Sequence, residues 1–371
     1  MYDCLIVGGG VIGLSIAYEL SGHGLNVRVI DQGQPGKEAS WAGAGILPPC
    51  NAATAVHPLE KLRALSHELH PQWSARLKNE CGIDNGYRRC GGLYIARSAG
   101  EAASLHGLKS ALDEERIDVQ HLLSDAVADV EPALKPLAES GRLKAAYYLP
   151  DEAQLRNPDH LKALHACCIK RGVEITGGFQ LREFKMSETH VTKAITNDGP
   201  IAANRFCICS GAWTHLLLKQ LGISTGIMPV RGQMVMFKCD RKPFRMILNE
   251  GPRYFVPRDD GRVLVGSTEE EVGFDKNTMD VALDELMTLA QEVVPELTRE
   301  RVERTWAGLR PGSYDGFPYL GPLPGKKNLF VAAGHFRSGL QLSTGTAVLM
   351  SQLLRGEETT IDMSPFRVGR G

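Results

Sequence analysis

Near its C-terminal end the chain reads LFVAAGHFRSGLQLSTGTA, Leu329 to Ala347. An apolar run, Leu329 to Ala333, stops at Gly334, delivers His335, Phe336 and Arg337, and stops again after Ser338 at Gly339. A small-residue segment able to open a helix follows. An imidazole and a guanidinium beside a helix N-terminus, already positive by its dipole, call for something anionic or electron-rich nearby.

A second constellation lies at the start. Asp3 to Val7 (DCLIV) reads as a buried strand, GGGVIG places Gly8, Gly10 and Gly13 in the G-x-G-x-x-G pattern, and Val11 to Leu20 has helical length and composition. Gly8 allows a tight turn, Gly10 lets backbone approach a pyrophosphate, and Gly13 lets the helix pack close to the strand. The pyrophosphate then sits on the helix N-terminus. A second apolar strand, Leu25 to Ile30, ends at Asp31, eighteen residues beyond Gly13, where an acid accepts hydrogen bonds from ribose hydroxyls and disfavours a 2′-phosphate. The motif alone is weak evidence; strand, motif, helix, strand and terminal acid in this order form a dinucleotide cradle.

Both NAD and FAD use such a cradle. Past Asp31, residues Ala39 to Ile46 are almost all small, which lets backbone pass close against a large planar ligand where a nicotinamide dehydrogenase would lead into another βα unit. Val173 to Ile175 and Arg205 to Cys209 read as strands, the latter ending in Ser210-Gly211-Ala212-Trp213. Three separated strand-then-glycine stops predict one cofactor domain assembled from discontinuous segments, which suits an extended FAD better than a compact NAD unit.

The bulk composition bounds the rest. With 371 residues, 43% apolar and a formal net charge of −1, the chain is globular, of about two or three domains, and has no electrostatic reason to bind nucleic acid or a membrane. Glycine is high, 40 residues against an average usage of about 7%, and clustered. The nine cysteines lack paired CxxC spacing, so they read as reduced thiols rather than metal ligands. No run approaches a membrane span, and MYDCLIVGGG lacks the basic region of a signal peptide, so a cytoplasmic protein is expected.

GGGVIG with Asp31, the SWAGAGIL strip, SGAW, PVRGQ (Pro229 to Gln233), YFVPRDDGRVLVGST (Tyr254 to Thr268), WAGLRPGSYDGFPYLG (Trp306 to Gly321) and GHFRSG together resemble the D-amino-acid-oxidase-like flavoproteins, in order over nearly the whole chain. Within that family the pattern is similar to the glycine-oxidising branch, which supplies glycine imine for the thiazole of thiamin. The resemblance implies an α/β fold: a Rossmann-like FAD domain (residues 1–82, 143–222 and 308–371) plus a substrate domain with an antiparallel sheet (83–142 and 223–307). It places Val11, Ile12, Asp31, Gln32, Ala39, Ser40, Ala44, Gly45, Ile46, Leu181 and the run Gly334, His335, Phe336, Arg337, Ser338, Gly339, Leu340 and Gln341 around FAD. Tyr254, Arg310 and Arg337 face the substrate, a small amino acid oxidised at the expense of molecular oxygen; a homo-oligomer is compatible with this reading. Glu269 after VGST, and Pro252-Arg253 before the tyrosine, depart from the family pattern and leave the choice among glycine, sarcosine and small D-amino acids open.

Oxidising an α-amino acid to its imine moves a hydride from Cα to flavin N5. If the amine binds neutral, no general base is demanded and positioning carries the catalysis. The carboxylate is the natural handle: Arg310, between Trp306-Ala307-Gly308-Leu309 and Pro311, can grip it bidentately unless it serves a structural salt bridge. Tyr254 can add a phenolic hydrogen bond unless it is only a strand aromatic. His335 reads as a turn histidine, Asp315 as a turn cap, Glu269 to Glu271 as a solvated acidic loop with Glu269 near the pocket mouth, and Cys167-Cys168 as core of a helix from His160 to Arg171. The helix after Gly339 should aim its N-terminus at the reduced ring, with Arg337 serving both that ring and the carboxylate. Related enzymes attach FAD through a cysteine in the C-terminal third; none follows Cys239, so non-covalent FAD is expected. The alternatives are a D-amino-acid oxidase, a quinone-linked D-amino-acid dehydrogenase, a sarcosine-oxidising relative, an NAD-dependent dehydrogenase, or a flavoprotein without catalysis.

Overall fold

The computed structural model describes residues 1–370. The apolar N-terminal run forms the strand Tyr2–Val7 inside a six-stranded sheet whose order is Tyr319–Pro322, Leu329–Ala333, Ala203–Ile208, Tyr2–Val7, Val27–Ile30 and Glu174–Thr176. All neighbours are parallel except the antiparallel edge strand Tyr319–Pro322. Parallel strands end at one edge, so the glycine stops after Val7, Ile208 and Ala333 converge there, where open α/β sheets bind ligands.

Period-two alternation assigns the two faces. Cys4, Ile6, Val29 and Cys207 pack against the helices Val11–Gly22, Pro58–Cys81, Asn157–Lys170 and Ser343–Arg355. Leu5, Val7, Phe206 and Val331 pack against a three-stranded antiparallel sheet, Leu181–Ser187, His190–Thr196 and Gly199–Ile201. Cys167 and Cys168 are core residues, and all nine cysteines are free thiols.

The second layer is an eight-stranded sheet ordered Val302–Gly312, Met228–Lys238, Arg262–Gly266, Arg253–Pro257, Ile247–Glu250, Gly92–Ala96, Ala145–Leu149 and Gln120–His121. It is antiparallel except for the pair Ile247–Glu250 and Gly92–Ala96. Phe237, Leu248, Phe255 and Val263 face the amphipathic helix Asp280–Val293 and the short helices Ser124–Val130 and Lys135–Glu139, whereas Met234, Ile247, Val256 and Tyr254 face the first layer. The strands cut across two of the expected segment boundaries. Ala145–Leu149 pairs with Gly92–Ala96, beyond the limit at residue 143, and Val302–Gly312 runs unbroken through residue 308.

Several titratable groups are buried. Burial pushes the imidazole of His70 down to about 4 and that of His160 to about 3. His70 Nε2 donates to the Gln341 carbonyl at 2.9 Å, and Asn85 Nδ2 donates to His160 Nδ1 at 3.0 Å. His335 is likewise held neutral by burial, at about 3. Glu152 lies between Tyr94 Oη at 2.7 Å and Asn249 Nδ2 at 3.1 Å, without a cation, and burial raises its carboxyl to about 7.

A base with a depressed folded pKa stabilises fully above its unfolded value and loses that contribution as pH falls; each of the three histidines removes about 2 kcal/mol between pH 7.5 and 5. A carboxyl with a raised folded pKa acts oppositely, so Glu152 returns roughly 2 kcal/mol over the same window. Denaturant unfolding of the holoprotein should therefore show a net loss on the order of 4 kcal/mol from pH 7.5 to 5. Glu152→Gln should steepen that loss; a variant whose pH slope matches the parent would remove Glu152 from the account.

Candidate active site

The carboxyl edge of the parallel sheet and the near face of the antiparallel sheet enclose a cavity of about 540 Å³. Its lining includes Gly8, Gly10, Val11, Ile12, Asp31, Gln32, Ala39, Ser40, Ala44, Gly45, Ile46 and Leu181 from one side, and His335, Phe336, Arg337, Gly339 and Leu340 from another. Tyr254 and Arg310 line the wall supplied by the second layer. Four expected residues stand behind the lining. Gly13 lies against the Gly8 carbonyl, where a Cβ would come within 1.9 Å. Gly334 turns the chain at φ +82°. Ser338 closes the turn by donating its N–H to the His335 carbonyl at 3.0 Å, and Gln341 offers its carbonyl to His70.

The nucleotide half is built from backbone that side chains would obstruct. Gly8, at φ +115°, lies so close to the returning strand that a Cβ would be 2.4 Å from the Cys209 carbonyl oxygen. Asp31 accepts from the N–H groups of Gly9 and Gly33, each at 2.8 Å, which fixes the carboxylate and leaves lone pairs for hydroxyl donors. Ser40 Oγ accepts the Val11 N–H at 2.9 Å, leaving the first-turn N–H groups of Ile12 and Gly13 without intrahelical partners. A cavity with a fixed acid at the second strand's end and a glycine-cleared helix N-terminus fits FAD.

The substrate half centres on Arg310. Its Nη1 donates to the Thr268 carbonyl at 3.1 Å and the Arg231 carbonyl at 3.3 Å, and its Nη2 to Ser267 Oγ at 2.5 Å. Among the described residues it has no carboxylate partner, so the structural salt-bridge reading does not hold. Burial, with help from Arg337, pushes its pKa below the ordinary guanidinium value. The guanidinium lies directly over Gly232, whose Cβ, if present, would be 2.2 Å from Nη2. That explains the glycine of PVRGQ. Tyr254 shares the wall, its hydroxyl directed to Met234 Sδ at 3.3 Å.

The mouth departs from expectation in three respects. Arg337 is not a free cation: Nη1 donates to Glu269 Oε2 at 3.0 Å and Nη2 to the Pro252 carbonyl at 3.2 Å. His335 is the turn histidine expected: buried, neutral and hydrogen-bonded to Thr346 Oγ1 at 3.1 Å. The C-terminal helix begins at Ser343 rather than at Gly339, and the N–H of Gly345 in its first turn is taken by Ser66 Oγ at 3.1 Å. Glu270 is not solvated acid; it pairs with Arg231, only 3% exposed, whose Nη1 also reaches Asp275 Oδ2 at 2.8 Å. Asp315 does cap its turn, accepting the Phe317 N–H at 3.1 Å, and binds Arg370 as well.

Ala42 and Gly43 of the small-residue strip line the cavity as expected, and so do three residues not singled out from the sequence, Asn157, Met234 and Leu309. Asn157 carried no motif, yet its Nδ2 fixes the Ser40 carbonyl at 2.8 Å. Met234 was findable, one residue beyond the PVRGQ motif on the strand bearing Gly232.

The sequence profile of the FAD dependent oxidoreductase family (DAO) matches residues 3–353. Glycine oxidase of Pseudomonas putida is 38% identical over 369 residues, 98% of this chain and 97% of that protein. The bifunctional protein ThiO/ThiG of Trichormus variabilis is 28% identical over 99% of this chain and 55% of its own length. The crystal structure of glycine oxidase from Geobacillus kaustophilus superimposes with a TM-score of 0.92 at 31% identity, covering 100% of this chain and 99% of that one. With its glycine-cleared cradle, fixed acid at the end of the second strand and matching profile over residues 3–353, this chain belongs to the DAO family of FAD-dependent oxidoreductases.

Proposed function

We propose that the protein oxidises glycine and other small amines or D-amino acids, such as sarcosine, D-alanine and D-proline, with molecular oxygen. The products are an imine that hydrolyses to a 2-oxo acid and ammonia, and hydrogen peroxide. The observation that carries this reading is Arg310, a half-buried guanidinium in the cavity wall with three neutral oxygen partners and, among the described residues, no acid. A small carboxylate completes it. The likeness to the ThiO/ThiG protein supports a further role, the supply of glycine imine for the thiazole of thiamin.

Bound FAD supplies the hydride acceptor for substrate Cα. The chain's own residues bind and orient. Arg310 holds the carboxylate, Tyr254 adds a hydroxyl on the same wall, and Gly232 keeps the space the guanidinium occupies. Among the described residues no lining base is free for proton abstraction: Asp31 and Glu38 are engaged by the Gly9 and Gly33 N–H groups and by Lys276, and the His335 imidazole is buried against Thr346. The amine therefore reacts as the neutral form, and the residues contribute by placement. Arg337 adds positive potential at the mouth, tempered by Glu269. The flavin is held non-covalently, since the one cysteine in the lining, Cys209, sits at a strand end in the nucleotide half. No described helix is long and apolar enough to cross a membrane, in keeping with a cytoplasmic enzyme.

Anaerobic addition of glycine should bleach the visible flavin bands and air should restore them, and sarcosine, D-alanine and D-proline should do the same at their own rates. A flavin that stays oxidised with all four would sink the reading. Acid precipitation should leave the pellet colourless. Arg310→Ala should raise KM for glycine about 100-fold, roughly 3 kcal/mol, with FAD retained. Gly232→Ala tests the same interaction from the opposite side: the added methyl displaces only the guanidinium tip, so KM should rise about tenfold, some 1.4 kcal/mol, while the unfolding midpoint barely moves. Normal glycine kinetics in either variant would remove Arg310 from the carboxylate site.

A further inference from the structure

Two guanidiniums line one cavity, and they are treated differently. Arg310 has no acid partner, whereas Arg337 is matched by Glu269 at 3.0 Å. Glu269 is not loosely placed. The residue before it, Thr268, gives its carbonyl to Arg310 Nη1 at 3.1 Å. The residue after it, Glu270, exchanges both backbone hydrogen bonds with Arg231, at 2.8 and 3.0 Å, and its side chain pairs with the same buried arginine. Glu269 is thus pinned between two anchors.

The Arg337–Glu269 pair contributes little to stability, since its side chains are 35% and 49% exposed. Its effect on a ligand is larger than its effect on the fold. By cancelling one of two cations it leaves the cavity a single uncompensated positive charge, on Arg310. One carboxylate neutralises that charge; a second anionic group on the same substrate would meet the Glu269 carboxylate beside Arg337 and be repelled.

We propose that Glu269 is a specificity-determining residue: it occupies Arg337 and so restricts the site to amines bearing one carboxylate, and its removal exposes a second carboxylate subsite on Arg337. The inference rests on the amine-oxidising reading above, in which Arg310 takes the first carboxylate. It also gives a reason for the acid that follows VGST, where the chain departs from the family pattern.

The test compares iminodiacetate, which is glycine carrying a carboxymethyl group on nitrogen, with N-ethylglycine, which adds a similar bulk without charge. In Glu269→Gln the kcat/KM ratio of iminodiacetate to N-ethylglycine should rise about tenfold, and the double variant Glu269→Gln with Arg337→Ala should return it to the parent value. Glu269→Asp should keep the parent's discrimination. Binding gives an independent readout: titrating the holoenzyme with malonate or acetate and following the flavin spectrum, Glu269→Gln should tighten malonate about tenfold with acetate unchanged. An unchanged ratio in Glu269→Gln, a gain that survives loss of Arg337, or equal changes for malonate and acetate would each overturn the proposal. If no amine reduces the flavin of the parent enzyme, the functional reading fails instead, and the malonate-to-acetate comparison still decides whether Glu269 masks an anion subsite.

Discussion

The two layers share a cavity because backbone meets backbone where the small-residue strip crosses the antiparallel sheet. At the crossing a Cβ on Gly308 would lie 2.5 Å from the Ala42 methyl, so the strand Val302–Gly312 and the short helix Ala39–Ala42 approach at backbone distance. Trp306 Nε1 donates to the Ala42 carbonyl at 3.0 Å and its ring meets Trp41 edge-on at 5.5 Å. Two residues further, Arg258 Nη2 reaches the Ala44 carbonyl at 2.7 Å, while its Nη1 binds Gln154 Oε1 and the Leu155 carbonyl. Burial lowers that guanidinium to about 10, with Arg88 and Arg156 adding to the effect, yet its donors are satisfied by neutral oxygens. The small-residue strip is therefore clamped from the substrate layer. Its opposite face is left to line the cavity, so the requirement for small residues comes from protein packing as much as from the ligand.

With that crossing fixed, the placement of arginines decides what the cavity binds. Arg231 and Arg310 lie on adjacent strands, one register step apart. Arg231 is saturated by Glu270, Asp275 and the Asn277 carbonyl, which is the usual fate of a buried cation. Arg310 is given only carbonyls and a hydroxyl. A guanidinium held this way is soluble in its surroundings but not neutralised, and it retains affinity for a planar anion that arrives from the cavity. The loop that saturates Arg231 also carries Glu269 to the mouth, and Lys276 of the same segment reaches Glu38 at 3.0 Å on the first layer. One buried structural ion pair thus sets the position of the site's outer wall.

Much of this was legible in the sequence, and the division follows the range of the forces. The tight placement of Gly8, Gly13 and Asp31 is a local consequence of backbone geometry within a strand-turn-helix-strand unit, so order and spacing were enough to read it. The strand Leu329–Ala333 matched to the residue because an unbroken apolar run bounded by glycine has few other uses. What escaped depends on distant partners. Whether Glu270 is solvated or Arg310 is salt-bridged is settled by residues 39 positions away in one case and 42 to 79 in the other. The strand Ala145–Leu149 joins the second sheet through pairing with Gly92–Ala96, a register that local composition does not encode. The late start of the C-terminal helix belongs to the same class, since Phe336 adopts φ +47° and a short 3₁₀ turn intervenes before Ser343.

That turn also resolves the oddity of an imidazole and a guanidinium beside a helix start. Neither is an uncompensated charge. His335 is held neutral by burial and spends its ring nitrogen on Thr346, fixing the turn to the helix it precedes. Arg337 is neutralised at the mouth by Glu269. The helix itself stands one turn further from the cavity than the sequence implies, so its dipole acts at longer range and Gly339 and Leu340 make the contact. Positive charge in the cavity is thereby concentrated on Arg310, on the wall opposite the nucleotide cradle. A site with one such cation discriminates by anchoring a single carboxylate and letting the rest of the substrate be judged by space. On the proposed function, Tyr254 and Met234 flank the space in which the substrate meets that cation.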